Sequence, residues 1–268
     1  MKNIAFLSIL LVLFSACEKE IELDLKELPP TLTIEAELTN QSSKSHVKIS
    51  MSKGLSGNQA FEYPYITDAQ VTITDSQGNQ MVFTPDAHGV YKSPTATGLQ
   101  GENYTLDVIR GDKHATAEGK MPASIQILDF RKVIVNGKRY LDVYFNDNPN
   151  QDDYYKIQLT TTEQNGSSYK SREILTDDFD YDTNLHRLRL PLHVYDTGLP
   201  NTTYTLRLCH INKLIYNYFK TLRDIQDAGY GTTPFTTSVP GNPNTNVEGG
   251  IGYFSAETVS ELSKNSLD

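Results

Sequence analysis

Tryptophan is missing from this 268-residue chain, and cysteine nearly so, with only Cys17 and Cys209. Two thiols allow one disulfide at most, so no multi-bridge scaffold is available and the fold must be held by its core. Basic runs are missing as well. The chain carries 24 Lys and Arg against 33 Asp and Glu, a net charge of −9, with the acidic residues spread along its length. Nucleic-acid binding needs clustered cations to neutralise phosphates and is excluded on that ground. Catalytic signatures are equally sparse: there is no His-Glu-x-x-His, no Gly-Lys-Ser/Thr phosphate loop, no Gly-x-Ser-x-Gly elbow and no Cys-x-x-Cys. Six histidines are scattered, and His186 and His193 fall on opposite strand faces by parity. The expectation is a non-enzymatic protein without a cofactor.

Long apolar runs are also scarce, which makes the one at the start informative. Lys2 precedes a run from Ile4 to Phe14 broken only by Ser8, and Ser15-Ala16 follow, directly before Cys17. This is the layout of a secretory signal over residues 1–16. It is shorter than the roughly 20 residues a membrane-crossing helix needs. An ordinary signal peptide shares the layout; the Cys after two small residues resembles a bacterial lipobox, with Phe14 where Leu is commonest. That resemblance implies diacylglycerol on the Cys17 sulfur, cleavage before it, and a stable membrane anchor through two or three acyl chains. With Cys17 lipidated, Cys209 has no partner in the chain and reads as a small buried hydrophobe. Residues 17–30 form an acidic tether ending at Pro29-Pro30. It reads either as a plain solvated linker or, by resemblance, as a surface-export signal.

From Thr31 onward the apolar period is two. Leu32, Ile34, Ala36 and Leu38 alternate with polar neighbours, as do Val47, Ile49 and Met51, then Val71 and Ile73, Met81 and Phe83, and Tyr104, Leu106 and Val108. Asn136-Gly137 marks a hairpin between Lys132–Val135 and Arg139–Phe145. Further strands are expected at Tyr155–Leu159, Leu188–Val194, Thr203–Ile211 and Ile251–Ala256. Arg110-Gly111-Asp112, which spells an integrin-type tripeptide, sits between two alternating runs and reads as a hairpin tip. The expectation is a mainly β fold of two antiparallel sandwiches of immunoglobulin or fibronectin type, over residues 31–122 and 123–268. Asn212–Ala228 breaks the pattern, since Leu214, Ile215, Tyr218, Phe219, Leu222 and Ile225 make one helical stripe. Asn212 is its N-cap and Gly229 its C′ residue. The stripe packs on the second sandwich or docks a partner.

Three features bear on binding. Residues 230–250 form a Gly-, Pro- and Asn-rich loop whose Tyr230, Phe235, Asn242, Asn244 and Asn246 are candidate contacts for a ligand or partner. Gly249-Gly250-Ile251-Gly252 lacks the strand-turn-helix setting of a dinucleotide site and reads as turn chemistry. Asp147, Asp152 and Asp153 lie on one acidic loop and are candidate calcium ligands, with a solvated loop as the simpler reading; a second acidic cluster follows at Asp177–Asp182.

Taken in order, Cys17-Glu18-Lys19-Glu20-Ile21, Asp68–Asp75 before a Gly-Asn turn, Tyr104-Thr105-Leu106 before Met121-Pro122, the Tyr216–Phe219 helix, and Asn246–Phe254 resemble the Bacteroidota lipoproteins of the domain of unknown function 4249 family. The resemblance implies an outer-membrane location, with the cell surface favoured over the periplasmic face, and a TonB-dependent transporter as neighbour. It implies no activity. An accessory or binding lipoprotein is the expected role, with a structural, adhesive or envelope-assembly module as the alternative and an unrecognised hydrolase third.

Overall fold

The computed structural model describes residues 29–52, 64–146, 152–171, 173–177, 185–191, 201–229, 243–265 and 267. The signal segment, Cys17, Asp147, the 178–184 part of the second acidic cluster, Tyr230, Phe235 and Asn242 lie outside the described residues.

The described residues from Thr31 onward belong to one compact unit. In chain order its strands are β1 (Leu32–Thr39), β2 (His46–Met51), β3 (Gln70–Asp75), β4 (Gln80–Pro85), β5 (Val90–Lys92), β6 (Asn103–Arg110), β7 (Lys113–Lys120), β8 (Gln126–Val135) and β9 (Lys138–Asn146). They continue as β10 (Tyr154–Thr162), β11 (Ser168–Lys170), β12 (Ile174–Asp177), β13 (Leu185–Pro191), β14 (Thr203–Ile211), β15 (Val247–Glu248) and β16 (Ile251–Lys264); helix α1 (Lys213–Gly229) lies between β14 and β15. Alternation of apolar and polar residues generates these strands as expected. Burial along β6 and the first half of β1 follows the period of two, and Arg110-Gly111-Asp112 is the turn between β6 and β7.

The strands form two hydrogen-bonded sheets. The larger runs β11-β10-β14-β16-β1-β2-β5-β4-β3-β6-β7-β15, with β12 also on β10; the smaller is β13-β9-β8. Between Thr84-Pro85 and Tyr91-Lys92 the large sheet turns a corner, so β1, β2 and β5 face β3, β6 and β7 across a first core that includes Ile34, Ile49, Ile73, Tyr91, Leu106 and Phe254. The other end of the large sheet faces β8, β9 and β13 across a second core of Phe130, Val143, Phe145, Tyr155, Ile157 and Leu206.

β16 belongs to both halves. Residues 251–257 pair parallel with β1, and residues 258–264 pair antiparallel with β14. The parallel pairing departs from the all-antiparallel expectation. Some 200 residues separate the partners in sequence, so no hairpin dictates their direction, and a parallel neighbour is open to them. The shared strand also moves the boundary expected at 122/123: Val247, Phe254 and Ala256 come from the tail yet sit in the first core.

Two close approaches fix the tail's geometry. Gly252 has φ +114 and lies so near Ile34 that a Cβ would overlap the Ile34 carbonyl oxygen; Gly249, φ +73, meets the His114 carbonyl in the same way. Glycine is required at both positions.

Helix α1 lies on the outer face of the large sheet, against β10, β12 and β16. Asn212 caps it, its Oδ1 accepting from the Ile215 amide at 2.9 Å. Ile215 and Tyr218 on its stripe are buried against Cys209, Val259 and Tyr253, so this face of the helix is an internal packing surface. Among the described residues no helix is long and apolar enough to cross a membrane.

Candidate functional site

The face that α1 covers is the polar side of the alternating strands. Alternation puts Glu37 of β1, Lys156 of β10, Arg207 of β14 and Glu257 of β16 there, and the helix closes over them. Lys156 is 2% exposed and Glu257 fully buried. The Lys156 ammonium donates to Glu37 Oε1 at 2.9 Å and lies 3.3 Å from Glu257 Oε2. Arg207 bonds Glu257 Oε1 at 3.1 Å and reaches Glu37 at 3.7 Å. Ser255 donates to Glu257, and the Phe219 ring of α1 sits 4.9 Å from the Lys156 nitrogen. Two cations and two carboxylates thus close on one another.

Burial alone would push the Glu37 carboxyl up, but the neighbouring charges of Lys156 and Arg207 more than reverse it and hold it at about 2. In Glu257 burial prevails and the carboxyl is raised. Burial opposes charge on Lys156 as well, and there the two carboxylates win, raising it well above its ordinary value. The Cys209 thiol is pushed far up, chiefly by burial, which places it among inert structural cysteines. This cluster fastens the two halves of the sheet together; every member is consumed by another.

The open site lies beside it. A cleft of about 810 Å³ runs between the halves, walled by Gln100-Gly101, the connecting segment Lys120–Ser124, Asp152–Tyr154 and Asn212-Lys213. A second hollow of about 470 Å³ shares Lys120, Asn212 and Lys213 with it. His210 and Asp153, both buried, form the floor. His210 Nδ1 is 2.9 Å from the Ala123 carbonyl and Nε2 is 3.0 Å from Asp153 Oδ1. A carbonyl only accepts, so Nδ1 carries hydrogen; the pair then holds a further proton on Nε2 or on the carboxyl. Both ring nitrogens are committed in either case. Thr258 also donates to the Ala123 carbonyl, at 2.7 Å. The cleft's floor is therefore structural, while Lys120, Lys213 and Asp152 are exposed at its rim.

Of the candidate residues read from sequence, Asp152, Asp153, Asn244 and Asn246 are among the described ones. Asp152 is at the cleft rim and Asp153 is turned inward to His210, so these two are not presented together to a cation. Among the described residues no three His, Cys, Asp or Glu side chains converge as a metal site. Asn246 is not a contact surface: its Oδ1 accepts from the Phe254 amide at 2.9 Å, and its Nδ2 donates to the Phe254 carbonyl at 2.9 Å and the Glu118 carbonyl at 3.2 Å. It pins the tail to β7 and β16. Asn244 is exposed beside it. The sequence reading missed the cleft residues Lys120, His210 and Lys213. They lie far apart in sequence, and only the Met121-Pro122 break hinted at a junction.

A mainly β protein with antiparallel, sandwich-type layers of immunoglobulin or fibronectin kind is the class this architecture defines. The chain belongs to the family described as Domain of unknown function (DUF4249), whose sequence model covers residues 18–263. No curated protein matches it. Among solved structures it is similar to a DUF4785 family protein from Legionella pneumophila, with 14% identity and a TM-score of 0.28, over 67% of this chain and 52% of that one. It thus spans about half of that protein. It is also similar to a two-domain fibronectin type III segment of chicken tenascin, with 14% identity and a TM-score of 0.20, over 68% and 91%. A third is a crystal structure titled a carbohydrate binding protein from Bacteroides uniformis, with 10% identity and a TM-score of 0.21, over 69% and 90%.

Proposed function

We propose that the chain is a lipid-anchored outer-membrane protein of the Bacteroidota envelope that binds rather than transforms its ligand, as an accessory beside a TonB-dependent transporter. The observation that carries the reading is the apolar run Ile4–Phe14 ending in Ser15-Ala16-Cys17. The body suits a role in display. Its two halves share β16 and are fastened by the ion cluster under α1, which makes one stiff scaffold on a short tether. The cleft supports binding over catalysis, because its buried histidine has both nitrogens engaged and Lys120, Lys213 and Asp152 are exposed at the rim. A small polar ligand bearing both charges matches that rim.

Labelling with radioactive palmitate and membrane fractionation test the anchor. The wild-type chain takes up label and sediments with outer membrane, and Cys17→Ala does neither. Persistence of label and sedimentation in Cys17→Ala refutes it. Mild-detergent purification of the tagged protein tests the partner: an outer-membrane barrel co-purifies if the accessory role holds. A deletion strain with intact nutrient uptake and defective adhesion would instead favour a structural or adhesive module.

A further inference from the structure

The β8–β9 hairpin departs from the charge of the rest of the chain. No Asp or Glu occurs from Phe130 to Leu141, a stretch that holds Arg131, Lys132, Lys138 and Arg139. In sequence the two basic pairs are separated by a five-residue apolar and turn segment. In the structure the turn sets Lys138 opposite Val135 and Arg139 opposite Ile134, while Arg131 and Lys132 lie farther back along β8, opposite Asp142 and Leu141. β13 adds Arg187 and Arg189, so the small sheet carries six Lys and Arg and only two carboxylates on a chain of net charge −9. Both carboxylates already have partners: Asp142 takes the Arg189 fork at 2.6 and 2.7 Å, and Asp129 takes Lys264.

The tip of this hairpin is apolar as well as basic. None of residues 133–140 is buried. At about 3.4 Å per residue the hairpin therefore extends roughly 10 Å past the last core residue, Leu141. Ile134 is 67% exposed near its end, between half-buried Val133 and Val135. Farther back on the outward face lie Tyr140, opposite Val133, and Tyr144, opposite Asp129, both among guanidinium groups. Arg131 donates to the Tyr144 hydroxyl at 2.8 Å and stacks 4.9 Å from its ring, and Arg189 lies 5.8 Å from the Tyr140 ring.

An exposed aliphatic side chain near the end, two long cations beside it and Tyr140 one position behind supply the groups that a lipid interface receives: acyl chain, phosphate, headgroup. Cation stems can lie along apolar surface while their charges reach phosphate, and tyrosine rings settle at headgroup depth. An acidic protein would be drawn to the cations but would leave Ile134 without a role. We propose that the β8–β9 tip is a second membrane contact, inserting Ile134 into a surface of anionic lipid while Lys138 and Arg139 engage its phosphates. This does not rest on lipidation at Cys17.

Because the chain has no tryptophan, Ile134→Trp provides a single reporter in the full chain. The full-length variant is reconstituted into vesicles of phosphatidylcholine alone, or of equal parts phosphatidylcholine and phosphatidylglycerol, with and without brominated acyl chains. The expected result is blue-shifted emission, quenched by the bromines, only with phosphatidylglycerol. Leu99→Trp, equally exposed at 69% but away from the hairpin, stays red in both. Each cation at an anionic surface contributes about fivefold, so adding Lys138→Glu and Arg139→Glu weakens the tip–lipid equilibrium at least about 25-fold and removes the quenching. Val135→Trp serves as the reporter if Ile134→Trp does not fold. The proposal is overturned by identical emission in both vesicle types, by quenching that survives the double charge reversal, or by an equal blue shift with soluble poly-glutamate alone, which would assign the face to an acidic protein.

Discussion

On one face of β1 and β16, Ile34, Ala36, Leu38, Phe254 and Ala256 are buried without a charged atom among them. On the other face of the same two strands Glu37, Tyr253, Ser255 and Glu257 are buried too, with Lys156 and Arg207 reaching in from β10 and β14. Eight consecutive residues of β16, Gly252 to Val259, are buried as a result. The apolar face derives its stability from area removed from water, a graded quantity to which each methylene adds. The charged face works differently. Its ions have lost most of their hydration, and only mutual contact offsets the loss. Removing a methyl from the first face should cost little; removing one charge from the second strands the others.

The largest expected effect breaks the charged face. Lys156→Met leaves Glu37 and Glu257 facing each other beneath α1 with only Arg207 between them, and should cost about 3–5 kcal/mol in urea unfolding. Replacing Lys156, Glu37 and Glu257 together by apolar residues of similar volume should recover most of that loss. If Lys156→Met alone left the midpoint unchanged, the cluster would not be holding the halves together.

Acid should then separate the two faces, since protons reach only one of them. A carboxyl held below its unfolded value contributes stability that is complete above that value, 4.5, and is lost as pH falls through about 2. Glu257 has the opposite sign: because its pKa is raised, its protonation adds to stability rather than removing it as pH falls. Glu37→Gln should therefore lower stability at pH 7 yet flatten its decline between pH 4.5 and 2. Parallel acid limbs in the two proteins would show that Glu37 is not the group responsible.

A third effect tests whether the tail truly belongs to the first half. Asn246→Ala removes one hydrogen bond accepted from the Phe254 amide and two donated, to Phe254 and Glu118, and should cost about 1–3 kcal/mol. Hydrogen exchange at the Phe254 amide should accelerate while that of β10 amides does not. Equal acceleration in both would mean that the halves open as one unit.

The strands were legible wherever one face meets a core and the other meets water, as in β3 and β6, and so was α1, whose stripe and Asn212 cap are local signals. Legibility failed where polar residues are covered. Glu37, Lys156 and Glu257 occupy the positions that alternation assigns to solvent, and nothing local tells that a helix from residues 213–229 will lie over them. Asn246 reads from sequence as contact surface because it sits in an Asn- and Pro-rich stretch, but its partners, Glu118 and Phe254, come from separate elements. The basic hairpin is hard to see in sequence for a related reason: a turn separates two short pairs that do not form one run. Pairing register, which no propensity encodes, carries all three.

The smallest expected effect sharpens the contrast most directly. Ile34→Val deletes one methylene from the apolar face and should cost about 0.5–1.5 kcal/mol, a cavity term with no charge left behind. Ile34 and Lys156 lie on opposite faces and are separated by β16 and β14. Sites so placed add independently, so the double variant with Lys156→Met should match the sum of the singles to within about 0.5 kcal/mol. Coupling well above that would mean that β16 transmits strain from one face to the other, through the backbone where Gly252 meets the Ile34 carbonyl. The two faces would then be one cooperative structure rather than two solutions to burial on the same strands.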